Sequence, residues 1–134
     1  MPHKIQAIAF DFYGVLYDYV SLRGPDIFDK LSGTNAKLVI ASNGGMHIRN
    51  WLDKNNFTQY FYDIVLSSEI GFRKPDKIFF EILCERLGEK PDDVLFVDDA
   101  IVNIRGAKNC GLQTFHYSDE RGDLDLLEGV MMFL

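Results

Sequence analysis

The chain has 134 residues and a formal net charge of −6, and 47% of its residues are hydrophobic. This length and composition predict one globular domain over residues 1–134 and exclude wholesale disorder. The net negative charge excludes general nucleic-acid binding, which needs a basic surface. Two cysteines make no disulfide framework, and no run reaches the ~18 apolar residues of a membrane span. We therefore expect a reduced, cytoplasmic protein without membrane contact.

Five short apolar runs bounded by turn residues predict the strands of a buried parallel sheet. They are Ile5–Phe10, Lys37–Ala41, Tyr62–Ser67, Val94–Val97 and Leu112–Tyr117. Helical patterns lie between the strands, with Pro75 as the expected first residue of one helix. The helical segments are Met46–Lys54, Pro75–Leu87 and 101–110, with less regular patterns at 25–33 and 123–132. This alternation predicts a doubly wound, Rossmann-like α/β fold with helices on both faces of the sheet.

Two candidate site residues follow predicted strands, at the edge where open α/β sheets bind ligands. Asp11 comes directly after the first strand and before Gly14, so its carboxylate can point into the crevice. A turn-forming Asp is the simpler alternative. Ser42 follows the second strand and precedes Asn43 and two glycines, a pattern that favours an anion site at a helix start. Helix capping by Ser42 or Asn43 is the alternative there.

Two further candidates come later in the chain. Lys74 precedes Pro75, which disfavours helical geometry for Lys74, so we expect its ammonium group to project from a loop. A solvated loop lysine is the simpler alternative. Asp98 and Asp99 follow an apolar strand, and adjacent carboxylates repel each other unless a cation neutralises them. Carboxylate oxygens suit Mg²⁺, so a metal site explains this pair better than a double helix cap.

Taken in order, these residues resemble the four motifs of the haloacid dehalogenase-like (HAD) hydrolase superfamily, most closely its phosphatase branches. The matching segments are Asp11–Leu16, Ala41–Asn43, 71–79, and Phe96–Asp99 with Asn103, 106–108 and 111–114. The resemblance covers residues 5 to 117 and implies the strand order 5-4-1-2-3, which brings Asp11 beside Asp98 and Asp99. A receiver domain of two-component signalling is excluded, because its acid pair follows the first strand and its lysine comes last.

The resemblance also implies roles for the site residues. Asp11 would be the nucleophile that accepts a phosphoryl group. Ser42 and Asn43 would bind the phosphate, and Lys74 would both bind phosphate and orient Asp11.

A Mg²⁺ ion is implied as the cofactor. Its ligands would be Asp11, the backbone carbonyl of Tyr13, Asp98, and Asp99 either directly or through water. The ion would screen the negative charges of the phosphate and the attacking carboxylate.

Tyr13 departs from the family pattern. Family phosphatases usually carry a second Asp there, which protonates the leaving group and activates water, and its loss costs about 10²–10⁴-fold in rate. Three interpretations stay open: a slow phosphatase, a non-catalytic or regulatory binding domain, and a 2-haloacid dehalogenase. The third is disfavoured because family dehalogenases carry this Tyr but work without metal and lack the Asp98–Asp99 pair. Asp18, on the flap expected after Gly14, is a candidate substitute acid.

The spacing between motifs leaves no room for the cap domain that many family members insert. Only 30 residues separate Asp11 from Ser42, and 31 separate Ser42 from Lys74. We therefore expect an open site, suited to a bulky phosphorylated substrate or to closure by a second subunit of a homo-oligomer. The apolar segment 130–134 is expected to dock on the sheet or to contact another subunit.

Overall fold

Five parallel strands form one sheet in the order β3-β2-β1-β4-β5. The computed structural model describes residues 4–117 and 125–134. The strands are β1 (Ala7–Phe10), β2 (Lys37–Ser42), β3 (Asp63–Leu66), β4 (Val94–Asp98) and β5 (Gln113–His116). This order is the predicted 5-4-1-2-3 read from the opposite edge, so the predicted topology is confirmed.

Seven helices connect and cover the strands within the described residues. They are α1 (Tyr17–Arg23), α2 (Asp26–Ser32), α3 (Met46–Lys54), α4 (Ser67–Ile70), α5 (Lys77–Leu87), α6 (Ile101–Asn109) and α7 (Leu126–Met131). An irregular helical turn, Phe12–Leu16, leads from β1 into α1, and single 3₁₀ turns occur at Thr58–Tyr60 and Pro91–Asp93.

Both faces of the sheet are buried, as near-continuous apolar strands require. In β1, Ile8 and Phe10 join the core under α1, α2, α3 and α7, whereas Ala7 and Ala9 join the core under α5 and α6. The small alanines suit the second face, where bulky side chains from α5 such as Phe79 fill the space. Polar residues occur at the carboxyl ends instead, with Ser42 ending β2, Asp98 ending β4 and Asp11 following β1.

Two predicted elements differ from the structure. The helix expected to begin at Pro75 begins at Lys77, because residues 73–76 form a turn in which Asp76 N–H donates to the Arg73 carbonyl. The flap expected after Gly14 is largely the helix α1, which forms because Tyr19 and Val20 bury their side chains in the core. The predicted strands otherwise hold, with ends that shift by one or two residues.

The C-terminal helix α7 docks on the core, which confirms the expected docking for Val130 and Phe133 of the apolar chain end, whereas Met131, Met132 and Leu134 are exposed. Val130 is fully buried, and Gly129 lies so close to the Phe115 ring that a Cβ there would collide with it. Asp125 accepts hydrogen bonds from Leu127 N–H at 3.1 Å and from the Tyr19 hydroxyl at 2.9 Å, which ties the helix start to α1. The predicted helical residues 123 and 124 lie outside the described residues.

The connections from β1 to β4 hold short helices and turns only, so no cap domain is inserted between these strands. Among the described helices none is long and apolar enough to cross a bilayer, and the longest, α5, has 11 residues. The carboxyl edge of the sheet is therefore open on the side where Asp11, Ser42 and Asp98 end their strands.

Candidate active site

The site begins with three polar residues on neighbouring strands. β1 lies between β2 and β4, and Phe10 pairs with Val97 in register. Asp11 is the next residue, and its N–H donates to the Val97 carbonyl at 2.9 Å. The strand pairing therefore places Asp11 beside Asp98 on one side and beside the end of β2 at Ser42 on the other.

Lys74 lies between these strand ends with its ammonium group buried. Nζ donates to Asp11 Oδ1 at 2.9 Å, to Asp98 Oδ2 at 2.9 Å and to the Ala41 carbonyl at 2.7 Å. Lys74 lies in a turn before α5, so the prediction that its ammonium group projects from a loop holds. It is 2% exposed, so the alternative of a solvated loop lysine is wrong. Burial is tolerated because all three N–H groups have acceptors, two of them carboxylates.

The loop that carries Lys74 is held by hydrogen bonds to Asn43. The Asn43 amide donates to the Lys74 carbonyl at 3.0 Å and accepts from the Lys74 N–H at 2.8 Å. The Lys74–Pro75 peptide bond is cis, and Gly106 of α6 packs against Pro75 so closely that a Cβ there would lie 2.8 Å from the proline Cβ. The side chain of Asn43, a residue predicted to bind phosphate, thus also holds the loop that carries Lys74.

Asp98 is fully buried and fully hydrogen-bonded. Its Oδ1 accepts from the Ala100 N–H at 2.9 Å, and its Oδ2 accepts from the Asn103 amide at 3.1 Å as well as from Lys74. Asn103 belongs to the fourth motif but was given no role from sequence, because its partner became visible only when α6 was placed. We call Asp11, Lys74, Asp98 and Asn103 the site floor.

The floor carboxylates of Asp11 and Asp98 converge with the carboxylate of Asp99. One oxygen each of Asp11, Asp98 and Asp99 lies within 4.8 Å of the other two. Burial, opposed by Lys74 and reinforced by the neighbouring carboxylates, raises the pKa of Asp11 to about 7. Burial and the contact with Asp98 also raise the pKa of Asp99. The cluster has more negative charge than Lys74 neutralises, and its oxygen-only donor set fits Mg²⁺.

One part of the cavity wall is formed by Ser42 and the residues after it. Ser42 is buried, and its Oγ accepts from the Gly44 N–H at 3.0 Å, so the hydroxyl proton can be donated elsewhere. A Cβ on Gly44 would lie 2.6 Å from the Cδ1 of Ile48. A side chain at this position would therefore force the buried Ile48 side chain to move.

An exposed aromatic group also borders the cavity. Tyr13 is 47% exposed, and its ring stacks on the His47 ring with centroids 5.7 Å apart and planes 17° apart. The Tyr17 ring meets Tyr13 edge-on at 5.4 Å. Burial and the neighbouring Tyr17 raise the pKa of the Tyr13 phenol, so it stays protonated at neutral pH. We call Tyr13, Tyr17 and His47 the site rim.

Gly14 is required by the approach of Asp99. Its φ is +82°, and a Cβ there would collide with the Asp99 carboxylate. On the far side of Asp99, His116 Nε2 is 2.9 Å from the Asp99 backbone carbonyl. The glycine is visible in the first motif, but the reason for it is a contact across 85 positions that the sequence does not reveal.

The cavity between floor and rim has a volume of about 300 Å³. It is lined by Asp11, Tyr13, Ser42, Asn43, Gly44, Lys74, Asp98, Asp99, Ala100 and Asn103. All seven residues predicted from sequence are therefore brought together. Asp18, the candidate substitute acid, lies on α1 and is not among the residues that line this cavity.

Comparison with known proteins gives one family match and several relatives. The family model of haloacid dehalogenase-like hydrolases matches residues 25–111. A glyceraldehyde 3-phosphate phosphatase of Methanopyrus kandleri is 37% identical over 78 residues, which cover 55% of this chain and 33% of that protein. The chain thus spans about one third of the length of this curated relative.

Two solved structures extend the likeness to the fold. An uncharacterised protein from Corynebacterium glutamicum is 27% identical with a TM-score of 0.77, and the match covers 96% of this chain and 95% of that chain. A HAD family enzyme from Bacteroides thetaiotaomicron, solved in complex with magnesium and inorganic phosphate, is 27% identical with a TM-score of 0.62. That match covers 74% of this chain and 53% of the other.

Proposed function

Because the chain belongs to the haloacid dehalogenase-like hydrolase family, we propose that it is a Mg²⁺-dependent phosphatase that uses Asp11 as its nucleophile. The observation that carries this proposal is the environment of Asp11. Its carboxylate faces the cavity, and Lys74 holds its Oδ1 at 2.9 Å. The phosphatase relative and the magnesium- and phosphate-bound neighbour support the same chemistry.

In the first step, Oδ2 of Asp11 attacks the phosphorus of a phosphate monoester, because Oδ1 is held by Lys74. A P–O bond forms to Asp11, the bond from phosphorus to the ester oxygen breaks, and the departing alkoxide takes a proton from solvent. In the second step, water attacks the phosphorus of the aspartyl-phosphate and loses a proton to solvent. Inorganic phosphate leaves and the Asp11 carboxylate is restored.

The transferring phosphoryl group would be held by the loop after β2. The Ser42 hydroxyl has a proton to donate, because its Oγ accepts from the Gly44 N–H. The other backbone N–H groups between Ser42 and the start of α3 would supply the remaining donors. Lys74 has no free N–H, since its three donors are used by Asp11, Asp98 and Ala41. We therefore assign Lys74 the orientation of Asp11 and the neutralisation of charge, rather than direct phosphate binding.

Asp11, Asp98, Asp99 and the Tyr13 carbonyl would hold Mg²⁺. When bound, the ion supplies charge neutralisation between the phosphate and the attacking carboxylate. The floor residue Asn103 keeps Asp98 in place by donating to its Oδ2. These assignments predict that hydrolysis of phosphate esters is lost when either the ion or the Asp98 carboxylate is removed.

Tyr13 makes the second step the slow one. A phenol that stays protonated cannot take a proton from the attacking water, and no carboxylate replaces it on the rim. The aspartyl-phosphate should therefore accumulate and produce a burst followed by slow turnover. Because the cavity mouth is uncapped, we infer that it admits bulky phosphorylated substrates or is covered by a second copy of the chain.

A substrate panel with and without divalent ions tests the assignment. We expect hydrolysis of phosphate monoesters in Mg²⁺, with a burst of one equivalent of product, and none after chelation. Chloride or bromide release from a 2-haloacid that persists in chelator would replace this assignment with the dehalogenase. Tight Mg²⁺ binding without hydrolysis of phosphate esters or 2-haloacids would identify a non-catalytic phosphoryl-binding domain instead. This outcome is included in the test because Tyr13 stands where family phosphatases usually have a carboxylate.

A further inference from the structure

The rim presents an aromatic surface directly beside the attacking carboxylate. Tyr13 lines the same cavity as Asp11, only two positions away in the chain, and almost half of its surface is exposed. An aromatic side chain that stays exposed to water forgoes the free energy it would gain by burying its apolar surface. A ring so placed lies next to the part of a substrate that departs when Asp11 attacks phosphorus.

The ring, and not the hydroxyl, is the part of Tyr13 that the structure orients. His47 covers one face at a nearly parallel angle of 17°, and Phe12 and Tyr17 meet the ring edge-on, with centroids 4.8 Å and 5.4 Å away. In the described part of the chain, the Tyr13 hydroxyl has no hydrogen-bond partner, whereas catalytic phenols are normally held by one. The surrounding rings hold Tyr13 in place and leave its remaining surface to the cavity.

His47 is itself fixed by α3. It is the second residue of this helix, and Ile48 and Leu52 of the same helix are fully buried in the core. The helix begins directly after Gly44 and Gly45, the segment assigned to the phosphoryl oxygens. The distance between the phosphate end of the site and the aromatic rim is therefore set by one rigid element.

We propose that Tyr13, positioned by His47, is a stacking platform that selects phosphate esters whose leaving group has a planar aromatic or heteroaromatic ring within a few bonds of the ester oxygen. This proposal rests on the phosphatase assignment for its activity assay only. Offset or edge-on ring contacts contribute enough to favour such esters by about three- to tenfold. The preference arises in substrate binding, so it changes KM more than kcat.

Benzyl phosphate and cyclohexylmethyl phosphate are the matched test substrates. Both release a primary alcohol from a CH₂–O–P group, so their leaving groups have similar basicity and differ mainly in whether the ring is planar. We expect kcat/KM to be about three- to tenfold higher for benzyl phosphate, with most of the difference in KM. Equal kcat/KM values for the two esters in the wild-type protein would overturn the proposal.

Four variants separate the ring from the hydroxyl and from simple structural damage. Tyr13→Phe and His47→Phe should keep the preference for benzyl phosphate, because both retain the stacked pair. Tyr13→Leu and His47→Ala should bring the ratio of the two kcat/KM values toward one. Lys54→Ala, at the other end of α3, is the control and should leave the ratio unchanged. Loss of the preference in Tyr13→Phe would assign the effect to the hydroxyl and overturn the platform.

A binding measurement keeps the proposal separate from the phosphatase assignment. Benzylphosphonate and cyclohexylmethylphosphonate cannot be hydrolysed, and their affinities in Mg²⁺ are measurable by calorimetry even if the protein turns over no ester. If the benzyl compound binds more tightly than the cyclohexylmethyl compound and this difference is lost in Tyr13→Leu, the platform is supported even when the protein hydrolyses no ester. Equal affinities together with normal phosphatase activity would overturn the platform and leave the function standing.

Discussion

The floor and the rim of the site lie within one cavity but are built in opposite ways. Lys74 and Asp98 are 2% and 0% exposed, and every polar atom of their side chains has a hydrogen-bond partner. Tyr13 is 47% exposed and is held by ring contacts alone. The floor thus has one arrangement that buried charges enforce, whereas the rim can change without unpairing a buried charge.

This difference divides the chemistry of the protein. In the proposed reaction, the floor would orient the nucleophile and collect carboxylates for a cation, which any phosphoryl substrate would need. The rim would meet the leaving group, which differs between substrates. A substitution in the floor should therefore damage stability, metal binding or chemistry, and a substitution in the rim should change rate and selectivity while the fold persists.

The largest effect is expected for Asp11→Asn. The amide has the shape of the carboxylate but is no nucleophile, so we expect phosphate release to fall by at least about 10³-fold. Asp26→Asn, on the exposed side of α2, is the matched control and should keep the wild-type rate. A well-folded Asp11→Asn protein with most of the original activity would exclude Asp11 as the nucleophile.

Lys74→Met tests the charge balance of the floor. Removing the buried ammonium leaves Asp11 and Asp98 without their cation, so we expect the free energy of unfolding in metal-free buffer to fall by about 3–5 kcal/mol. Added Mg²⁺ should recover part of this loss. Lys77→Met is the control, because the Lys77 side chain is 79% exposed and its pair with Glu81 spans 3.6 Å. Equal denaturant midpoints for the two variants would contradict the proposed role of Lys74.

Tyr13→Asp introduces at the rim the carboxylate that the family motif usually has. We expect steady-state turnover to rise by about ten- to a thousandfold, less than a full acid–base effect because the surroundings are not shaped for it. The burst should disappear, since the aspartyl-phosphate would no longer accumulate. Rapid-quench kinetics measures both quantities after circular dichroism has checked the fold. A folded, Mg²⁺-binding variant that is no faster on any ester would show that Tyr13 does not limit turnover.

The smallest effect is expected for Asn103→Ala. Asn103 donates to Asp98 Oδ2 at 3.1 Å but is not one of the three clustered carboxylates, so its loss should misalign Asp98 without removing a ligand. We expect Mg²⁺ affinity to fall by about 10–100-fold in a calorimetric titration. The neighbouring exposed Val102→Ala serves as the control. Unchanged affinity in Asn103→Ala would mean that Lys74 and Ala100 suffice to hold Asp98.

Much of the fold could be predicted from the sequence because its signals are local. Each strand is a short apolar run next to turn residues, and two floor residues, Asp11 and Asp98, stand where such runs end. The resemblance to a known family added the strand order, which periodicity cannot provide. The boundaries of helices depend on competing local structure. The helix α5 begins at Lys77 and not at Pro75, because the turn at 73–76 competes with the helix.

The pairing of polar groups, by contrast, depends on contacts between distant parts of the chain. A loop lysine reads as solvated until Lys74 is found 2.9 Å from carboxylates 63 and 24 positions away, with Asn43 holding its backbone. The stacking of Tyr13 on His47 is equally invisible, since both residues follow different strands. A buried ammonium group such as that of Lys74 is stable only where several hydrogen-bond acceptors surround it. The packing of the helices and loops against the sheet decides which acceptors those are.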